Sequence, residues 1–410
     1  MVFAPLRPLD AFPHEQDGKR MIALRDPLGV VDGMLVVSPE AFLVASQFDG
    51  EREADAIAEE ATRQLGMLVR PEIVERVAEL FSERWLLFDA NFHHAWMGLR
   101  EEFARKPVRA AAHAGTNYPT DAGDFRLRIG GILAEAWDQP RPRANVLGLI
   151  APHIDLERGL ATYARAYGVL RDLPKIERIL ILGTSHGPTT QLLAPTRRDY
   201  ETPLGPARTD RAAVDRLVSV LGDDAFDDEF CHKNEHSIES PNDLPAPRPA
   251  ERRDRAGPLW EPPEHGRRCQ RSGGAPGGRA GGRGLRAAIT DTKKTLVIAA
   301  ADLAHVGPRF GGPRLTHELL SETETADRRA LDFAAARDAA GWFRAVTEGG
   351  DPRNTCGLAP IYWLLRLLDE GRGHLIAYRR CEAPDQCVTI GAMPFLDGEF
   401  IPQDSHDTDD

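Results

Sequence analysis

The regular alternation of short apolar runs with amphipathic segments most constrains how this 410-residue chain can fold. Between residues 109 and 398, apolar runs that end in Gly, Pro or Ser turns are followed by stretches with apolar residues at helical spacing. This order is typical of α/β folds, because parallel strands need helical crossovers that cover both faces of the sheet. We therefore predict a mixed, largely parallel sheet flanked by helices. The predicted strands are 146–150, 179–182, 295–300, 375–378 and 388–390, and the predicted helices are 125–137, 159–170, 209–221, 323–340 and 358–368.

Two histidines follow directly after predicted strands. His153 ends the sequence Val-Leu-Gly-Leu-Ile-Ala-Pro-His, and His186 ends the sequence Ile-Leu-Ile-Leu-Gly-Thr-Ser-His. Ligands of open α/β sheets bind in the crevice beyond the carboxyl ends of the strands. Since the two histidines are about one β-α-β unit apart, we interpret them as a pair of metal ligands. The alternative is that each histidine only caps a turn.

Other polar residues lie at comparable places. The strand predicted at 295–300 leads into Asp302 and His305, and Cys356 stands where an apolar helix begins. Backbone N–H groups at a helix start favour a thiolate, so we expect a lowered pKa for Cys356. Glu235 and His236 belong to a polar cluster in the middle of this region. We predict that these two residues line the pocket or form part of a network in the core.

The composition excludes several classes of protein. The net charge of −12 leaves no basic face for a nucleic acid. No apolar run is long enough to span a membrane, and the N-terminus lacks the basic and apolar segments of a signal peptide. The five cysteines are odd in number and scattered. This usage favours a reducing cytoplasm over a disulfide framework.

Residues 1–105 are predicted to form a separate small domain. Its order of elements resembles a winged helix, and the turn Phe48-Asp-Gly resembles that of PqqD-like peptide-recognition domains. Acidic residues outnumber basic ones here, whereas a DNA-reading winged helix needs the opposite balance. We expect a peptide or protein partner, the alternative being a structural appendage without one. The predicted strands are 34–37 and 85–88, and the predicted helices are 39–44, 53–64 and 71–81.

Residues 242–284 interrupt the α/β pattern with nine Arg, nine Gly and seven Pro. Such a segment buries too little apolar surface to offset its ordering entropy, so it is predicted to be disordered. Our hypothesis is a compensated pair of frameshifts, out near Glu239 and back near Leu285, because shifting the reading frame by one base can restore an apolar strand. The alternative is a genuine disordered insertion. The coding DNA distinguishes the two. Residues 399–410 form an acidic tail.

Five motifs follow one another along the chain: Ala-Pro-His153, Gly-Thr-Ser-His186-Gly, Glu235-His-Ser-Ile-Glu, Asp302-Leu-Ala-His and Thr-Cys356-Gly. In this order they resemble the Memo family, whose bacterial and archaeal members are also called AmmeMemoRadiSam system protein B. The resemblance runs from about residue 109 to about residue 394, without the anomalous stretch, and implies a fold similar to class III extradiol dioxygenases, which are non-haem iron enzymes.

This resemblance also implies a ligand set. It places a metal ion on His153, His186 and Cys356, and it places His305 where the dioxygenases keep their catalytic base. Imidazole and thiolate donors suit iron, copper or zinc, and we expect iron or copper. We group Asp302 with His305 as catalytic, since its carboxylate can orient a ligand histidine. A thiolate in place of the usual carboxylate softens the site, so the fold alone does not imply dioxygenase chemistry.

Three functions fit these residues. The first is a metal-dependent oxidoreductase that acts on a small aromatic or peptidic substrate. The second is a peptide- or protein-binding scaffold with a vestigial site. The third follows from the name of the system: the chain acts beside radical-SAM and AMMECR-type proteins in the modification of a peptide, which residues 1–105 present.

Overall fold

The computed structural model describes residues 2–137, 144–170, 176–187, 189–239, 259–261, 279–289 and 294–398. The chain divides into two compact units, Met1–Lys106 and Pro107–Asp410. Within the described ranges, no helix combines the length and the apolar character that a bilayer crossing requires.

The smaller unit combines an antiparallel sheet with helices. Its strands pair in the order β1-β2-β3, and the helices follow the sheet along the chain. The predicted strand 85–88 is reduced to an isolated bridge between Leu87 and Leu6. The winged-helix and PqqD-like resemblances stay predictions. The elements are β1 (Asp10–Gln16), β2 (Lys19–Arg25), β3 (Met34–Val37), α1 (Pro39–Ala45), α2 (Ala54–Leu65), α3 (Pro71–Glu83) and α4 (Ala90–Arg105).

A buried ion pair stabilises the smaller unit. Arg7 and Asp26 lie 2.7 Å apart with fully buried side chains. Arg7 also donates to the carbonyl oxygen of Trp85 at 2.6 Å, and Asp26 accepts three backbone N–H groups of the following turn. Each buried charge lies against a charge of opposite sign, so burial leaves no unpaired charge, although Nε of Arg7 has no hydrogen-bond partner among the described residues.

The larger unit alternates strands and helices as predicted. Its elements are β4 (Val108–Arg109), α5 (Ala122–Trp137), β5 (Val146–Ala151), α6 (Leu156–Gly168), β6 (Arg178–Thr184), β7 (Asp199–Tyr200), α7 (Arg211–Leu221), β8 (Leu259–Glu261), α8 (Arg279–Ala288), β9 (Thr295–Ala300), β10 (His305–Val306), α9 (His317–Ala335), α10 (Ala339–Thr347), α11 (Leu358–Leu367), β11 (Arg372–Gly373), β12 (Ala377–Ala383) and β13 (Gln386–Leu396). Short 3₁₀ turns lie at Asp223–Phe226, Glu229–Lys233 and Pro308–Phe310.

An eight-stranded mixed sheet forms the centre of this unit. Its strands follow the order β10-β13-β5-β9-β6-β8, with β11 and β12 also paired to β13. Strands β5, β9, β6 and β8 run parallel, and β13 runs antiparallel to β5. The prediction of a mixed, largely parallel sheet flanked by helices is confirmed. The carboxyl ends of β5, β9 and β6 therefore meet at one edge.

Burial on both faces explains the continuous apolar runs. Along β6, Leu180 and Leu182 belong to the core cluster that contains Ile361 of α11, whereas Ile179 and Ile181 belong to the cluster that contains Tyr163 of α6. Side chains of a strand alternate between faces, so both sets of positions must be apolar when helices cover both sides.

Two predicted boundaries were wrong. The predicted helix 323–340 is two helices, because Arg337 adopts a left-handed conformation (φ 55°) and the Asp338 side chain caps α10 by accepting from the backbone N–H of Gly341 at 2.8 Å. The strands predicted at 375–378 and 388–390 are parts of the longer hairpin β12–β13. Apart from β8 and the first residues of α8, the anomalous segment 242–284 lies outside the described residues, as does the tail 399–410.

Arg109, at the end of β4, holds a distant segment against the start of the larger unit. Its guanidinium donates to the carbonyl oxygens of His232 (2.8 Å) and Glu235 (2.9 Å) and forms an ion pair with the Glu239 carboxylate. The ring of Tyr200 lies 4.9 Å from the guanidinium carbon. The side chains of Arg109 and Glu239 are each only 1% exposed, so each charge depends on the other.

We predict that Arg109→Met lowers the free energy of unfolding by about 3–5 kcal/mol, because it leaves the Glu239 carboxylate buried without its cation. Urea denaturation followed by circular dichroism measures this loss. The control Arg286→Met removes an ion pair with Asp369 in which both side chains are at least half exposed, and it should cost less than about 1 kcal/mol. Equal losses in the two variants would contradict the assignment.

Candidate metal centre

The sheet brings three polar side chains to one edge. His153 follows β5, His186 follows β6 and Asp302 follows β9, each two residues beyond the end of its strand. Strand β9 lies between β5 and β6, so these residues come together where ligands of open α/β sheets bind.

A third histidine completes a cluster at this edge. One ring nitrogen each of His153, His186 and His236 can be chosen such that all three lie within 4.8 Å of one another. The ring centroids of His186 and His236 are 4.4 Å apart and nearly stacked, and each lies 5.2–5.3 Å from that of His153. The sequence predicted His236 only as a pocket or core residue. This geometry makes it a candidate ligand.

An oxygen atom lies near Nδ1 of each histidine, and for His153 and His186 it is a hydrogen-bond acceptor. Nδ1 of His153 lies 2.9 Å from the carbonyl oxygen of Ala300, and Nδ1 of His186 lies 3.0 Å from a carboxylate oxygen of Glu235. Nδ1 of His236 lies 3.4 Å from the same Glu235 oxygen. An acceptor at Nδ1 keeps the proton there and leaves the Nε2 lone pair available to a metal.

Cys356 stands next to this cluster, immediately before α11. Its Sγ lies 3.4 Å from Nε2 of His153 and 3.5 Å from the carbonyl oxygen of Asp302. Burial raises the pKa of the Cys356 thiol to about 11, although a hydrogen bond from His186 opposes this shift. The expected lowered pKa was wrong, because burial outweighs the helix start and the Asp302 charge further disfavours the thiolate.

Glu235 determines the charges of the cluster. The surrounding residues partly desolvate His186, whose side chain is 40% exposed, which lowers its pKa, and burial raises the pKa of Glu235, but the attraction between the two residues prevails. It raises the pKa of His186 to about 9 and holds that of Glu235 well below its usual range. Burial, reinforced by charged His186, lowers the pKa of His236 well below its usual value. Without a metal, His186 is therefore the cation and His236 is neutral near pH 7.

The two residues predicted as catalytic differ in their surroundings. Asp302 is 2% exposed, and its Oδ1 accepts the backbone N–H groups of His153 (2.9 Å) and Ile154 (3.2 Å). His305 is half-buried against the ring of Phe310. Burial lowers the pKa of His305 to about 4; nearby His153 and His186 add to this shift, and Asp302 opposes it. His305 is therefore neutral at pH 7, whereas Asp302 positions the loop that carries His153.

Sequence reasoning missed another neighbour of the cluster. The ring of His113 lies 5.7 Å from that of His236, and its Nε2 lies 2.9 Å from the carbonyl oxygen of Asn234. His113 follows no predicted strand, so no pattern in the sequence marks it. Its position results from Glu239, which accepts the backbone N–H of His113 at 2.9 Å.

Comparison with known proteins decides the family. The family model described as Memo-like protein matches residues 109–244 and 278–392, more than half of the chain. The chain belongs to the Memo family. A MEMO1 family protein of Thermus thermophilus is 30% identical over 337 residues, which cover 81% of this chain and 95% of the relative. A second MEMO1 family protein, from Aquifex aeolicus, is 24% identical over 290 residues, which cover 71% of this chain and 73% of the relative.

The residues covered by the family model include the candidate site of this Memo family protein but exclude most of its anomalous stretch. The match leaves out residues 245–277, most of the Arg/Gly/Pro-rich segment. The similarity to class III extradiol dioxygenases stays a prediction. The candidate site residues all fall inside the matched ranges: His153, His186, Glu235, His236, Asp302, His305 and Cys356.

We predict that Glu235→Gln lowers the pKa of His186 from about 9 toward or below its ordinary value, because the substitution removes the negative charge that opposes burial. NMR titration of the histidine resonances in metal-free protein measures this shift. The control Glu229→Gln removes a carboxylate that is paired with Arg198 and should leave the titration of His186 unchanged. A His186 resonance that still titrates near pH 9 in Glu235→Gln would disprove the role of Glu235.

Proposed function

We propose that this Memo family protein binds a single iron or copper ion through His153, His186 and one further ligand, and that it acts as a metal-dependent oxidoreductase. The convergence of three imidazoles carries this proposal, since one nitrogen of each lies within 4.8 Å of the others. The acceptors at Nδ1 support it further, because they fix the tautomer that a ligand histidine needs. Imidazole and thiolate donors suit both proposed metals.

Two residues compete for the third position. The family resemblance implies Cys356, whose Sγ is in contact with His153. The grouping of ring nitrogens favours His236. The two choices differ in the number of protons that metal binding releases. A ligating thiol must lose its proton, whereas His236 is already neutral near pH 7.

The remaining residues have separate roles in this proposal. A bound metal supplies Lewis-acid and redox chemistry. Neutral His305 accepts a proton from the substrate, as a general base requires. Glu235 and the carbonyl group of Ala300 orient the imidazoles, and Asp302 holds the backbone at His153.

The proposed substrate is a peptide or protein. The support is the resemblance to AmmeMemoRadiSam system protein B, which implies radical-SAM and AMMECR-type partners, together with the predicted peptide-binding role of residues 1–105. The alternative is a non-catalytic scaffold. Under that alternative, chelation of the metal leaves peptide binding unchanged and no turnover follows metal loading.

Elemental analysis of the purified protein tests the metal site. We expect a single iron or copper ion per folded chain and its loss in His153→Ala, because a ligand nitrogen is removed. The control His317→Ala changes an exposed histidine at the start of α9 and should retain the metal. Folded wild-type protein that takes up neither ion after reconstitution would refute this proposal and favour the scaffold.

The pH dependence of metal affinity identifies the third ligand. Below pH 9, binding must displace the proton of His186, so the affinity rises by about tenfold per pH unit if His236 is the third ligand. If Cys356 ligates, its proton is displaced as well and the rise is about a hundredfold per unit. Competition titrations between pH 7 and pH 8.5 measure the slope. Cys356→Ser should reduce the steeper slope to the shallower one, and a slope of zero would contradict the assigned charges.

A further inference from the structure

A hollow of about 440 Å³ lies between α6, α9 and the start of β12. It shares no residue with the candidate metal centre. The residues that line it include one arginine from each element, namely Arg165 of α6, Arg328 of α9 and Arg379 of β12, together with Tyr378. Its volume falls in the range of small-molecule sites.

The three guanidinium groups differ in their partners. Arg328 pairs with Glu324 at 2.9 Å, and its guanidinium carbon lies 4.8 Å from the centre of the Tyr378 ring. Arg165 donates to the neutral carbonyl oxygen of Ile376 at 2.9 Å. Among the residues that the structure describes, neither Arg165 nor Arg379 forms an ion pair. Two of the three lining arginines therefore have no ion-pair partner among the described residues.

This group of arginines contrasts with the rest of the chain, whose net charge is −12. Like charges gathered around one hollow repel one another, and a bound anion removes that repulsion. The side chain of the lining residue Tyr378 is also fixed, because its hydroxyl donates to the buried carboxylate of Asp327 at 3.0 Å, which also accepts from Thr389 at 2.5 Å. A side chain that is already fixed lowers the entropy cost of binding.

We propose that this hollow binds a phosphate group, either as free phosphate or as the monoester of a small molecule. A phosphate monoester carries a charge of about −1.5 to −2 at pH 7 and offers three acceptor oxygens. That charge balances the unpaired guanidiniums of Arg165 and Arg379, and the third oxygen can accept from Arg328. A carboxylate offers one negative charge and two oxygens, which match two of the three donors.

Isothermal titration calorimetry with inorganic phosphate, at constant ionic strength, tests the site. We expect Arg165→Gln and Arg379→Gln each to weaken phosphate binding by about tenfold or more, as loss of a charge-assisted hydrogen bond does. Both side chains are exposed, so the variants should fold, and circular dichroism checks this. The control Arg208→Gln changes an exposed arginine outside the hollow and should bind as the wild type does.

Three further binding measurements distinguish this site and ligand from other sites and ligands. His186→Ala should retain phosphate binding, which distinguishes the hollow from the cationic metal centre. Tighter binding of AMP than of phosphate identifies an ester ligand, and equal binding identifies free phosphate; both results uphold the site. The proposal is overturned if neither arginine variant weakens binding, if Arg208→Gln weakens it equally, if His186→Ala abolishes it, or if acetate binds as tightly as phosphate.

Discussion

The buried ion pair between Arg109 and Glu239 is the interaction on which the larger unit and its site depend. Glu239 also accepts the Tyr118 hydroxyl and the backbone N–H of His113, and Arg109 also binds the carbonyl oxygens of His232 and Glu235. One pair of charges thus joins the entry of the unit to the segment 232–239. That segment supplies the carboxylate and the third imidazole of the cluster, so contacts of this ion pair help to position two members of the site.

The sheet could be predicted from sequence because each buried strand is marked by its own run of apolar residues. Strands β5, β6 and β9 are buried on both faces, and their uninterrupted apolar residues mark them to within one or two positions. The break between α9 and α10 could not be predicted in the same way. Apolar residues continue across it, and the break depends on the conformation of Arg337 and the cap provided by Asp338.

The candidate site was predictable only in part. His153 and His186 follow strands, so topology alone brings them to one edge. His236 follows a 3₁₀ turn, and its place results from contacts to Arg109, which is distant in sequence. The pKa of Cys356 depends on burial, which no local pattern reports. The sequence therefore predicts the site residues that directly follow strands, and it does not predict those whose positions depend on ion pairs between residues distant in sequence.

Glu235 faces both His186 and His236 through the same carboxylate oxygen. The single negative charge of Glu235 is shared by the two imidazole rings, so only one of the two rings is protonated to a cation. A divalent ion that displaces this proton and that of Cys356 enters without changing the total charge of the centre. A divalent ion held by imidazoles alone leaves one excess positive charge at the centre. Under the proposed metal binding, a ligating Cys356 would therefore make the uptake of a divalent ion an electroneutral exchange for two protons, whereas three imidazole ligands would not.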